Sequence, residues 1–262
     1  MMIKTIKYGE SQSALMRKLI SRFEKDDVPQ LDEEGVESLV PQDEKIMDLF
    51  KHISLDPDYH LYACTCGRND ATHLLVLKKG ENIVERLKDD NGDIRIWKFT
   101  DMDIMPFVQV PFTPEALWEA FLLWDSRGIF LPRRWHANYD CMLLLTDKMD
   151  LDRKFVGQSF RSSCKGDLDS LNFDFSPSIT IDEEAKIAEI TFYHWSIWSR
   201  GCMKSGTKIK WHDNRVEMTP TMYPNPDYKE PDGSEFYGWE KPERSYEYID
   251  LGIPFQADWI TF

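Results

Sequence analysis

The chain has 262 residues, 42% of them apolar and 13% aromatic, enough to bury a core and too apolar for a disordered sequence. Its formal charge of −14 repels nucleic-acid phosphates and favours basic partners. No run of about 18 apolar residues occurs, and "MMIKTIKYGESQSALMRK" holds no apolar stretch of signal-peptide length. The expectation is a cytoplasmic protein that spans no membrane and binds no nucleic acid.

The first 57 residues read as a helical N-terminal part. In "SQSALMRKLISRFEK", Leu15, Met16, Leu19, Ile20 and Phe23 recur at helical intervals, with Ser11 or Ser13 able to cap. A second amphipathic helix is expected from Pro41, with Asp43 and Glu44 at its positive end. Ile46, Leu49, Phe50 and Ile53 give it one apolar face.

Residues 58–218 read as a β-rich body. "YHLYACT", "THLLVLKK", "NIVERLK" and "DIRIWKF" alternate in polarity and predict a four-stranded antiparallel meander, with a turn at Asn91-Gly92. "PFTPEALWEAFLLWDSRG" predicts a buried helix near 114–126, capped by Thr113, opened by Pro114 and ended by Gly128. Strands follow in "YDCMLLLT", "SITID", "AEITFYHWSIW", "TKIKW" and "RVEMT", the last two joined by "HDN". Residues 219–262 hold prolines and aromatics in alternation and predict an irregular wrap over the body. The fold class is α+β, built on antiparallel sheets in a single domain spanning 1–262.

Three stretches carry residues capable of chemistry. In "HLYACTC" a strand puts His60, Tyr62, Cys64 and Cys66 on one face. Alternate strand residues lie roughly 6–7 Å apart, whereas two thiolates on one zinc must approach to roughly 4 Å. A straight strand cannot chelate through this pair, and no metal is expected. With five scattered cysteines, a reduced protein follows.

"LPRRWHANYDCM" brings together Arg133, Arg134, His136, Asp140 and Cys141, a set suited to an anionic substrate or to one of the chain's own acidic segments. Cys141 opens an apolar run, where an inert thiol is expected. "ITFYHWSIWSR" carries His194, Trp195 and Trp198, with aromatics on both strand faces. A hydrogen-bonded core histidine or an aromatic binding groove fits it. No phosphate-cradling glycine loop, dinucleotide fingerprint, nucleophile elbow or His-Glu-x-x-His motif is found, and no cofactor is expected.

Charge supplies the functional expectation. Residues 26–58 hold eleven Asp and Glu against Lys45 and Lys51, and residues 219–262 hold nine against three bases. The rest of the chain is close to neutral. An acidic binding or inhibitory protein that engages a basic protein partner is the first expectation, an immunity-type inhibitor of a nuclease-like toxin being its concrete form. Asp26, Asp27, Asp32, Glu33 and Glu34, with Trp195 and Trp198, are its binding candidates. The rival is an enzyme whose site is assembled from dispersed residues, with His136, His194, Arg133 and Arg134 as catalytic candidates. A structural component of a larger assembly is the third.

Overall fold

The computed structural model describes residues 3–7, 30–31, 39–66, 71–88, 90–92, 103–129, 142–145, 154–155, 158–159, 174–196, 201–223 and 248–249. Its strands are β1 (Ile3–Lys7), β2 (Gln30–Leu31), β3 (Ser54–Leu55), β4 (Tyr59–Cys66), β5 (Ala71–Lys78), β6 (Val108–Gln109) and β7 (Met142–Leu145), then β8 (Lys154–Phe155), β9 (Gln158–Ser159), β10 (Ser178–Asp182), β11 (Ile187–Ser196), β12 (Gly201–His212), β13 (Arg215–Met222) and β14 (Tyr248–Ile249). Its α-helices are α1 (Asp43–Met47), α2 (Ile83–Leu87) and α3 (Pro114–Ile129), with a 3₁₀ turn at Met105–Phe107. The fold is mixed and mostly antiparallel; among the described residues β2 beside β4 is the one parallel pairing.

The dominant sheet has seven strands, with the path β1-β10-β11-β12-β13. Turn chemistry sets its central meander. Asp213 and Asn214 take φ values of 48° and 58°, the double positive φ of a two-residue hairpin turn, and so pair His212 with Arg215. Pro220 belongs to β13, contrary to the expected irregular tail from residue 219, and β13 is an edge strand. The Trp211 N–H points away from β13, to the Lys186 carbonyl at 3.0 Å. Alternating outward from Trp211–Val216, the Thr207–Pro220 pair is also one that exchanges no hydrogen bonds. The missing N–H of Pro220 therefore falls on the open edge, where it costs nothing.

The two central strands change neighbours partway along. β11 pairs with β10 through residues 187–191 and with β7 through 193–196. β12 pairs with β13 through 205–212 and with β14 through 202–203. The pairing between β11 and β12 runs unbroken from Ile187↔Lys210 to Ser196↔Gly201.

Beside this sheet, β4 and β5 form a hairpin in register from Tyr59↔Lys78 to Cys66↔Ala71. Helix α3 packs against β5 and β10. Residues 116–123 are buried on every side of it, which places the helix between layers rather than on a surface. Thr113 caps it as expected, its Oγ1 accepting the Ala116 N–H at 3.2 Å, and the helix runs one residue past Gly128. Phe121 stacks on Trp118 and on Phe192, with centroids at 5.4 Å and 4.7 Å. Ile46, Leu61, Val76, Val110, Phe121, Ile190 and Ile209 belong to one apolar cluster joining α1, the hairpin, α3 and the large sheet.

Two further expectations are corrected. "NIVERLK" is not a strand: Ile83, Val84 and Leu87 have the spacing of one helical face, and Asn82 caps α2 by accepting the Val84 and Glu85 N–H groups at 2.9 and 3.2 Å. The four-stranded meander is thus broken at its third member, and residues 93–99 lie outside the described residues. The N-terminal part is not wholly helical either. Ile3–Lys7 is a strand, rich in β-branched residues, on the edge of the large sheet beside β10. The expected helix over 11–25 lies outside the described residues. The second helix is present but short, and its end tightens into i→i+3 bonds from Leu49 and Phe50 to Ile46 and Met47. No described helix is long and apolar enough to cross a membrane.

Candidate functional site

Helix α1 lies at the centre of the part of the first acidic segment that the structure describes, and a carboxylate fastens the chain on each side of it. At its N-terminus Asp43 reaches β4: Oδ1 accepts the Leu61 N–H at 2.5 Å, and Oδ2 lies 2.6 Å from His60 Nδ1. Beyond its C-terminus, Glu119 of α3 accepts the Lys51 N–H through both oxygens, at 3.1 and 3.0 Å, and the His52 N–H at 2.7 Å. The His52 ring adds a fourth contact, Nδ1 to Oε1 at 2.9 Å. Glu119 is 4% exposed, and these bonds account for a carboxylate at that depth.

Burial alternates along β4. Leu61 and Ala63 face the core, so His60 and Tyr62 share the other face, their rings 6.3 Å apart and nearly perpendicular. Burial, and secondarily the charge of Asp43, raises the Tyr62 phenol above its ordinary pKa. Tyr62 is therefore a hydroxyl donor at neutral pH. With Nδ1 of His60 on a carboxylate, its Nε2 is the nitrogen left for another partner. Gln42 Oε1, next to Asp43 in the chain, is buried without a hydrogen-bond partner among the described residues.

Around these anchors the surface is acidic. Glu44 and Asp48, one turn apart, are exposed, as is Asp58, and none of the three makes an ion pair among the described residues. Val40, just ahead of the helix, is 61% exposed. Asp56 instead pairs inward with Arg215, Oδ2 to Nη2 at 2.8 Å. Part of the acidic segment is thus used to hold the fold, and part faces outward.

The register of β4 and β5 is unbroken, so Cys64 and Cys66 stand on a regular strand without the bulge that shared chelation requires. Cys64 is paired with His73 across the ladder. Among the described residues no group of three or more His, Cys, Asp or Glu side chains converges as a metal site.

Most of the residues singled out from the sequence fall where the structure gives no description. Asp26, Asp27, Asp32, Glu33, Glu34, Arg133, Arg134, His136 and Trp198 lie outside the described residues. His194 and Trp195 lie on β11 where it is flanked on both sides: His194 by Met203 and Leu144, Trp195 by Cys202 and Leu143. Sequence reasoning missed the Asp43–His60 and Glu119–His52 pairs. For Glu119 a signal existed, since one acid inside the apolar run "LWEAFLLW" must find donors if the helix is buried.

No protein-family model, no curated protein and no solved structure matches this chain.

Proposed function

We propose that this is an acidic binding protein that engages a basic protein partner through the surface around α1. The observation that supports this reading is an exposed apolar residue, Val40, just ahead in the chain of the helix that carries the exposed acid Glu44 and ends at Asp48. An apolar anchor rimmed by charge is a common design of protein interfaces. The five acids at 26, 27, 32, 33 and 34 extend the same charge along the chain. In its concrete form the partner is a nuclease-like toxin whose phosphate-binding cleft the acids cover, as in an immunity-type inhibitor.

A pull-down from the native host at low and moderate salt tests this. A basic protein that is retained at low salt, released as salt rises, and lost with a Val40→Asp, Glu44→Gln, Asp48→Asn variant is the expected result. Capture that is indifferent to both would overturn it.

A second reading, an enzyme with a dispersed site, is favoured by one observation: the His60 ring is oriented by Asp43 and sits beside the protonated Tyr62. A carboxylate-oriented imidazole is a general-base arrangement. Hydrolysis of activated esters or phosphoesters, lost in His60→Gln with unchanged melting, would favour this reading over the first.

A further inference from the structure

We infer that the seven-stranded sheet is built to open in two stages, along a seam that crosses β11 and β12, and that Tyr223 pins the end of β13 at that seam. The seam is set by the pairing. On one side of β11 the neighbour changes from β10 to β7 at Phe192. On the far side of β12 it changes from β13 to β14 at Lys204. Phe192 pairs with Ser205, and Tyr193 with Lys204, so the two changes lie at the same height. Among the described residues only the β11–β12 ladder is continuous across this line.

The described ladders of the two halves differ in length. Below the seam, β10 contributes five paired residues, β1 backs it with five more, and β13 contributes eight. Ile179, Ile181, Ala188, Ile190, Ile209 and Val216 of that half lie in the core. Above the seam the outer strands among the described residues are four residues of β7 and two of β14. Short ladders give up their hydrogen bonds to water more readily than long ones anchored in a core.

Tyr223 closes the line on the sheet's outer face. Its hydroxyl donates to Glu189 Oε1 at 2.8 Å and lies 3.3 Å from Thr191 Oγ1, both below the seam. Lys204 Nζ, at the seam, lies 4.7 Å from the ring centroid. Room for the hydroxyl comes from Gly206, where a Cβ would sit 2.6 Å from the Tyr223 oxygen. The residue directly after β13 is thus fastened back onto the lower half at the point where the β12 edge passes to β14.

Hydrogen exchange on the full chain, under native conditions and in urea below the unfolding transition, tests this. Amides of 193–196 and 201–204 should exchange roughly tenfold faster than those of 187–191 and 205–211, with a smaller urea dependence. Tyr223→Phe, which removes only the hydroxyl, should speed exchange at 201–204 and 219–222 several-fold while leaving 208–211 unchanged; Thr191→Val should do the same to a lesser degree. One common rate and urea slope for all these amides, or equal acceleration of both halves by Tyr223→Phe, would overturn the inference.

Discussion

The carboxylate of Glu119 and the main chain at His52 hold each other in place across 67 residues of sequence, through the His52 N–H at 2.7 Å and the ring Nδ1 at 2.9 Å. Removing the carboxylate leaves the Lys51 and His52 N–H groups short of acceptors at a part-buried site. Glu119→Ala should therefore lower stability by about 3 kcal/mol in chemical denaturation, and Glu119→Gln, which keeps one acceptor oxygen, by roughly half of that. Equal and small losses for both would mean that water replaces the carboxylate freely.

Phe121 is fully buried between Trp118 and Phe192, so it bridges α3 and the large sheet. Truncation to Ala should cost about 3–5 kcal/mol. A change below about 1 kcal/mol in urea unfolding would show that this part of the core closes over the cavity.

Gly206 and Tyr223 compete for the same space. Gly206→Ala should destabilise by about 1–3 kcal/mol, since the new methyl meets the Tyr223 hydroxyl and crowds the Ile190 carbonyl at 3.1 Å. The loss should shrink in a Tyr223→Ala background, where only the carbonyl contact remains. A double-mutant cycle with zero coupling would show that the backbone alone resists the methyl.

Lys7 and Asp174 meet at 2.5 Å on the surface. The hydrogen bond from Lys7, and then those from Ser176, hold the Asp174 carboxyl at about 2 rather than 3.8. A depressed folded-state value means that the pair's contribution is present above the unfolded value of about 3.9 and fades as pH falls toward about 2. The same bond raises Lys7 above 10.5, so on the alkaline side the contribution is fully present below that value and is lost as pH rises through the raised one. Both side chains are more than half exposed, and solvent screening keeps the effect on melting small. The sensitive readout is an NMR titration of Asp174, whose midpoint should climb back toward 3.8 in Lys7→Met. An unmoved midpoint would assign the shift to Ser176.

Neutralising Asp26, Asp27, Asp32, Glu33 and Glu34 together should leave melting unchanged or raise it, and should slow association with the basic partner. The loss should diminish as salt passes about 0.15 M, where the Debye length is about 8 Å. A clear fall in melting temperature would place these acids with Asp43 and Asp56, as charges that hold the fold.

What could be read in advance follows from how local the signal is. "SITID" alternates cleanly and becomes β10 with the same bounds, and "HDN" gives the positive-φ turn between β12 and β13. Thr113 and Pro114 mark the start of α3 because a cap acts within one turn. Residues 83–87 were misread because a short apolar run suits either period, and the capping role of Asn82 decides between them. The Asp43–His60 pair spans 17 residues and joins a helix end to a strand, so neither residue announces it. The sheet role of Ile3–Lys7 is less local still, because its register exists only once β10 is present.

That separation bears on biosynthesis. Thr5 and its cross-strand partner Thr180 are 175 positions apart. At a ribosomal pace of about 5–20 residues per second, β1 waits on the order of 10–35 s for the strand it pairs with. β11, β12 and β13 close through short connections and can assemble as soon as they emerge. Over that interval the nascent chain carries β1 without its β10 partner, and Lys4 and Lys7 on that strand keep it hydrated and a poor template for a neighbouring chain on the same message.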